Sequence, residues 1–388
     1  MAFKKFSADH IFDGYTMLDE TQVLVTDKKG IVQNIIHRSD AGDDVQQLKG
    51  ILTPGFINAH CHLELSHMKG MIPEHTGLID FVFNVMSKRH FTEEHILPAI
   101  EKADQEMWEN GIVAVGDICN NVLTIPTKLK SQIRYHNFIE VSGFPPAVAA
   151  ARFEKAREIL AAYNSTLSTQ HNVLTPHAPY SVSPELFDLI NNETAGRVIT
   201  IHNQETKEEN DFFLNKTGDF LRLYETIGVD ISFFNASKKT SLQTWLPNFN
   251  NGQSVILVHN VHTSNEDIAF IKHSTHNTQH ATAFCLCPNA NLYITDTLPD
   301  VNKFIQQDCS IVLGTDSLAS NHQLSILEEI KTLKKNFPDL SLQTLLQWAS
   351  SNGARALRLN DVLGSFEKGK QPGIVLLQED LSGVSRLF

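Results

Sequence analysis

The sequence predicts an α/β protein, a (β/α)₈ TIM-type barrel carrying a small β-sandwich built from both ends of the chain. Three observations lead there. From residue 51 onward, short apolar runs alternate with longer stretches of helical periodicity, the pattern of a parallel sheet covered by helices. Eight such runs occur, enough to close a barrel of about 250 residues, and a length of 388 leaves room for a smaller partner. Nearly every run ends on a polar, chemically capable side chain, as a barrel requires when its strand C-termini converge on one mouth. A doubly wound open sheet is the runner-up.

Taken in order, residues 1–53 read as short strands with turn signals. Lys28-Lys-Gly30 between Gln22-Val-Leu-Val-Thr and Ile31-Val-Gln-Asn-Ile-Ile marks a hairpin. The apolar runs are Gly50 to His60, Ile112 to Asp117, Tyr135 to Glu140, Val173 to His177, Val198 to His202, Val255 to His259, Ala283 to Asn289 and Ile311 to Asp316. Helical periodicity covers Leu78 to Met86, Ile100 to Trp108, Phe153 to Tyr163, Asp211 to Tyr224, Leu324 to Leu333 and Leu342 to Leu357. Residues 362–388 return to turn and strand, so a sandwich from 1–53 and 362–388 is expected beside a barrel of 54–361.

A formal charge of −12 opposes attraction to nucleic acid or an anionic membrane. No stretch reaches the ~18 uninterrupted apolar residues of a membrane helix. Five scattered cysteines suggest no disulfide framework. A soluble, cytoplasmic protein acting on a small molecule is expected, with a homo-oligomer left open.

The chemistry begins at His60-Cys-His62. Alternate side chains of a strand share a face, so both imidazoles can grip one metal ion. His202 would add a third imidazole and Asp316 a carboxylate, an ordinary donor set for a catalytic divalent metal. Glu205, three residues past His202, is placed to move a proton beside a metal-bound water, while His259 is a second candidate for proton transfer or oxyanion stabilisation. His177, flanked by Pro176 and Pro179, suits a substrate contact. Glu208 and Glu209 read as the acidic first turn of a solvated helix, and His262 as a loop residue. Gly364-x-x-x-x-Gly369-Lys370 lacks the Ser or Thr and the following helix of a phosphate loop, and Cys285-x-Cys287 lacks partners for a closed thiolate site.

Together, Pro54-Gly-Phe-Ile-Asn-Ala-His60-Cys-His62-Leu-Glu64-Leu-Ser66, Thr175-Pro-His177-Ala-Pro-Tyr180-Ser, His202-x-x-Glu205, Val258-His259-Asn-Val-His262, Cys287-Pro288-Asn289-Ala-Asn291 and Gly314-Thr-Asp316-Ser-Leu-Ala-Ser-Asn321 resemble the amidohydrolase superfamily. The resemblance is closest to its deaminase and chlorohydrolase branch, and within it to deaminases of adenosine-type compounds, including the aminodeoxyfutalosine deaminases. It implies one divalent metal, zinc first and iron second, held by His60, His62, His202 and Asp316. Glu205, His259 and Asp316 would be catalytic, and His177, Glu64, Ser317 and Asn321 would contact substrate. No lysine stands in Arg134 to Gly143 to bridge a second metal, although Glu140 leaves a bridging carboxylate open. The implied reaction adds water at an amino-bearing ring carbon and expels ammonia. Alternatives are a triazine-type chlorohydrolase or aminohydrolase, a guanine or cytosine deaminase, and a barrel whose metal is purely structural. The sequence departs from relatives at Cys287-Pro-Asn-Ala-Asn291, which bears on the substrate, and at Gln371-Pro-Gly-Ile, which falls in the sandwich.

Overall fold

A computed structural model describes residues 3–274 and 282–388. Short strands open the chain: β1 (Lys4–Ser7), β2 (His10–Phe12), β3 (Met17–Leu18), β4 (Gln22–Thr26), β5 (Val32–His37), β6 (Gln46–Gln47) and β7 (Ile51–Pro54). Eight longer-range strands follow: β8 (Phe56–Cys61), β9 (Ile112–Cys119), β10 (Arg134–Val141), β11 (His171–Pro176), β12 (Val198–Asn203), β13 (Ser254–His259), β14 (Thr282–Leu286) and β15 (Ser310–Leu313). β16 (Ile374–Leu377) and β17 (Val384–Arg386) end the described elements.

The middle strands form two parallel sheets, β8 to β11 and β12 to β15, each with neighbours in sequence order. Hydrogen bonds cross both gaps between them. His202 N donates to His177 O at 3.0 Å and Thr200 N to Thr175 Oγ1 at 2.8 Å, joining β12 to the β11 side. Thr315 N donates to His60 O at 3.0 Å and to Asn58 Oδ1 at 3.1 Å, joining the end of β15 to β8. One apolar cluster unites these strands with the helices that follow them, including Phe56, Phe138, Ile199, Leu257 and Leu345, each fully buried or nearly so. Burial of such a side chain stabilises the fold by about 1.5–3 kcal/mol.

The chain ends build two further sheets, in the orders β5-β4-β1-β6 and β17-β16-β7-β2-β3. Phe6, Ile11, Leu24, Leu52, Phe366 and Ile374 pack between them as a separate apolar cluster. The predicted hairpin is present as the antiparallel β4–β5 pair. The apolar run from Gly50 to His60 is two strands rather than one: β7 pairs with β2 and β16, β8 with β9. The switch falls at Gly55, where a Cβ would lie 2.3 Å from Val113 Cγ1, so only glycine lets the chain pass.

Two predicted helices are interrupted. The stretch from Asp211 to Tyr224 is split into Lys207–Asn215 and Phe220–Thr226, because Lys216 takes a left-handed φ of 55° and Gly218 one of 92°. The stretch from Leu342 to Leu357 contains a π-turn at Trp348–Asn352. The Gly364 to Lys370 segment is a turn leading to β16, tied by Lys370 to Ser365 and Glu367. No helix of the described residues is long and apolar enough to cross a membrane.

A buried ion pair crosses the first parallel sheet. Lys128 Nζ reaches Asp117 Oδ2 at 2.5 Å and Asn137 Oδ1 at 2.7 Å, and both charged side chains are wholly excluded from solvent. Asp117 Oδ1 in turn accepts the backbone N–H of Leu63 at 2.8 Å, which fixes the turn immediately after His62.

Candidate active site

His60 lies near the end of β8, with His62 just beyond that strand. Asp316 follows β15, and its N–H donates to His60 O at 3.1 Å, so the two strand ends are held side by side. Gly314 permits this approach, since a Cβ there would meet Cys285 Sγ at 2.8 Å and His60 Cβ at 2.9 Å. Asp316 itself has φ 56° and His259 φ 73°, left-handed conformations that cost about 1–2 kcal/mol each and aim the side chains inward.

The donor atoms converge. His60 Nε2 and His62 Nε2 are 3.2 Å apart, and Asp316 Oδ1 lies 3.5 Å from the first and 3.3 Å from the second. Burial pushes the His62 imidazole down to about 3 and lowers that of His60, although Asp316 opposes it in both, so the neutral form, with one lone-pair nitrogen per ring, is favoured. His202 joins them within metal-ligand reach, and its Nε2 is buried without a hydrogen-bond partner. Three imidazoles and a carboxylate crowded together, with His202 Nε2 unpartnered, fit a divalent cation. The described residues thus contain a His/Asp cluster able to hold a metal ion.

Glu205 and His259 stand against this cluster. His259 Nε2 is 3.2 Å from His202 Nδ1 and 3.7 Å from Glu205 Oε2. Asn291 Nδ2 donates to His259 Nδ1 at 3.1 Å, which leaves the neutral ring's proton on Nε2, facing the cluster. Burial holds His259 well below its usual range. Burial also raises the Glu205 carboxyl to about 8, despite the opposing pull of His202, so it carries a proton at pH 7. His177 hydrogen-bonds Ser181 Oγ through Nδ1 at 2.7 Å, and its ring centre is 5.0 Å from that of His202.

Three of the expected substrate contacts also make hydrogen bonds within the protein. Glu64 Oε1 accepts from Arg89 Nη2 at 3.0 Å, and Oε2 from Asn120 N at 2.9 Å and Asn121 Nδ2 at 2.8 Å. Asn321 Nδ2 donates to Thr315 O and Glu329 Oε1, both at 2.9 Å, and its Oδ1 accepts from Gln323 N at 3.3 Å. Ser317 Oγ pairs with Ser320 Oγ at 3.1 Å. These hydrogen bonds hold the loops around the cluster. Glu209 is also a correction: it is fully buried, not solvated, and accepts Gln204 N at 2.9 Å, pinning the turn that carries Glu205. Glu208 is half-buried, and His262 sits in a loop, as expected. Cys285 and Cys287 are free, buried thiols.

Sequence reasoning passed over several participants. Ser320 Oγ donates to Asp316 Oδ2, and Glu329 accepts from Asn289 N and Asn289 Nδ2 as well as Asn321. Glu140, which the sequence offers only as a possible bridging carboxylate, faces the cluster, with Oε1 3.7 Å from His202 Nε2. Burial opposes its charge, but His177, His202 and His62 hold its carboxyl well below the usual range.

A family model described as the amidohydrolase family matches residues 51–387. The chain belongs to the amidohydrolase family. This family is metal-dependent, in keeping with the His/Asp cluster. Among its relatives, a Helicobacter pylori protein named adenosine deaminase is 26% identical over 331 residues, covering 83% of this chain and 77% of that protein. A Methanococcus maripaludis protein named 5'-deoxyadenosine deaminase is 26% identical over 369 residues, covering 89% of this chain and 79% of that one. The crystal structure of Helicobacter pylori aminofutalosine deaminase with methylthio-coformycin superposes with a TM-score of 0.80 at 22% identity, covering 97% of this chain and 92% of that chain. The last likeness establishes a shared amidohydrolase fold.

Proposed function

We propose that this amidohydrolase is a metal-dependent hydrolytic deaminase that releases ammonia from an aminopurine nucleoside of the adenosine type. The observation that carries the reading is the buried convergence of His60, His62, His202 and Asp316 with a carboxyl, Glu205, and an imidazole, His259, directly beside them. A purely structural metal would have no use for that pair. The adenosine-type names of the relatives favour the purine ring over other amino-substituted rings.

His60, His62, His202 and Asp316 would hold the ion; the nitrogen-rich donor set favours zinc, with iron second. When bound, a divalent ion there supplies Lewis acidity that brings the pKa of an attacking water toward ~7. The protein does the rest. Asp316 Oδ1 accepts the water's proton, while Ser320 keeps Oδ2 fixed. His259 Nε2–H donates to the oxygen as it adds to the ring carbon. Glu205 gives its proton to the ring nitrogen beside that carbon, so negative charge does not accumulate on the heterocycle. Asp316 then passes the proton it took from water to the amino group, the C–N bond breaks to release ammonia, and Glu205 recovers a proton from the hydroxyl as the ring carbonyl forms. His177, its Nδ1 held by Ser181, presents its other nitrogen to the substrate.

The hydrogen bonds across both sheet gaps support closure of β8 to β15 into one barrel, residues 54–361, with 1–53 and 362–388 as a second, β-sandwich unit. Five free cysteines suit a cytoplasmic location. An ammonia-release assay over aminopurine nucleosides, a pterin and cytosine tests the function: turnover confined to the purines is expected, and release from none of them would refute it.

A further inference from the structure

Among the described residues, Glu140 is an acidic side chain that faces the cluster and that the proposed mechanism leaves idle. It is the penultimate residue of β10, with its side chain 7% exposed. Asn120 Nδ2 donates to its Oε2 at 2.9 Å, and Asn120 is itself anchored through its backbone N–H to Glu64, so the carboxylate is aimed rather than loose. Oε1 has no hydrogen-bond partner, and at 3.7 Å His202 Nε2 lies beyond hydrogen-bond reach. Like His60 Nδ1 and His202 Nε2 in the same site, this buried oxygen is left unsatisfied, and an acceptor-only carboxylate oxygen calls for a donor from a ligand.

The position narrows which donor. His202 is flanked on its two edges: Nδ1 faces His259 and through it Glu205, while Nε2 faces Glu140. In the proposed reaction Glu205 serves the ring nitrogen on one side of the attacked carbon. The amino group is the other nitrogen on that carbon and falls toward Glu140. An adenine-type ring otherwise shows only acceptors at its nitrogens, which a carboxylate would repel. We infer that Glu140 Oε1 accepts an N–H of the substrate's exocyclic amine and so selects the amino substrate over its oxo product and over a halogenated ring.

This inference rests on the deaminase reading and adds its selectivity. An oxo product turns an acceptor toward Glu140, which weakens product binding and favours release; a chlorine offers no N–H at all. Glu140→Gln keeps the size of the side chain and can keep the Asn120 bond through its carbonyl oxygen, but it turns an N–H₂ toward the ligand.

The test compares paired nucleosides, adenosine with inosine and 5'-deoxyadenosine with 5'-deoxyinosine, on metal-loaded wild type and Glu140→Gln. Steady-state kinetics read the amino compounds, calorimetry reads binding of the oxo compounds and of 6-chloropurine riboside, and metal analysis reads occupancy. In the variant, kcat/KM for the amino compounds should fall about 10- to 100-fold, as for a lost charge-assisted hydrogen bond. The oxo compounds should bind more tightly than to wild type, with metal content unchanged. Equal weakening of amino and oxo compounds would mean that Glu140 reads the shared sugar, and loss of metal would mean that it supports His202 or is itself a ligand; either overturns the inference. So does unchanged selectivity in a variant that still deaminates. If wild type turns over no aminopurine, the deaminase reading itself has failed.

Discussion

His60 Nε2 and His62 Nε2 lie 3.2 Å apart with Asp316 Oδ1 within 3.5 Å of each, all three side chains buried. Two imidazole nitrogens and a carboxylate oxygen so placed suit a shared divalent cation. Purified protein should therefore carry about one divalent ion per chain. His202→Ala should lose metal and activity together while a strong chelator lowers the melting temperature of wild type alone. Two tightly held ions per chain, or full occupancy in His202→Ala, would contradict the assignment.

Ser320 donates to Asp316 Oδ2. Ser320→Ala leaves that buried oxygen unpaired and frees the carboxylate to rotate. Metal affinity should drop about 10- to 100-fold, as when other outer partners of metal ligands are removed. Competition titration against a chelator of known affinity measures it. Unchanged affinity would show that the backbone alone orients Asp316.

Lys128 and Asp117 form an ion pair with no solvent exposure, so removing one partner strands a buried charge. Lys128→Met should destabilise the fold by about 3–5 kcal/mol, and Asp117→Asn/Lys128→Met should recover much of that loss. Denaturant unfolding of the three proteins checks both statements. A double variant as unstable as the single one would place the importance in the Lys128 hydrogen bonds and not in charge balance.

His136 predicts acid sensitivity away from the site. Burial, then the neighbouring His171, pushes its imidazole down to about 3, and its Nδ1 lies 3.2 Å from Leu357 O. Between pH 6.5 and about 3 the unfolded chain binds this proton and the folded chain does not. The contribution to stability is thus complete above pH 6.5 and is lost on acidification, at up to about 1.4 kcal/mol per pH unit. His136→Asn, which retains a donor for Leu357, should flatten the stability profile across that window. Parallel profiles for variant and wild type would exclude His136 as a source of the slope.

How much of this was legible in the sequence depends on the kind of signal. The strand ends announced themselves, because an apolar run followed by His60, His202, His259 or Asp316 combines a periodicity with a chemical type. The helix break at Lys216 did not, since a lysine with positive φ has no sequence signature. Glu209 and Glu329 look like surface charges on amphipathic helices. Only the three-dimensional placement of Gln204, Asn289 and Asn321 shows that both are buried pins. Glu64 and Asn321 are recognisable as parts of motifs, but a motif does not show the scaffold bonds that they make to Arg89, Asn120 and Thr315.

Glu205 separates chemistry from binding. It is proposed to move a proton, and burial keeps it protonated near neutral pH, 3.7 Å from His259. Glu205→Gln preserves volume and hydrogen-bonding capacity but has no proton to give to the ring nitrogen. Fold and metal content should be retained while kcat drops by about 10²–10⁴. Substrate should still bind, because the contacts proposed for His177 and Glu140 remain. The variant is then a trap: incubated with a mixture of aminopurine nucleosides, it should hold the true substrate intact, identifiable by mass spectrometry after rapid filtration. Deamination at the wild-type rate would remove Glu205 from the proton path. Loss of metal in Glu205→Gln, matching His202→Ala, would instead make Glu205 a ligand and leave His259 and Asp316 to carry the proton alone.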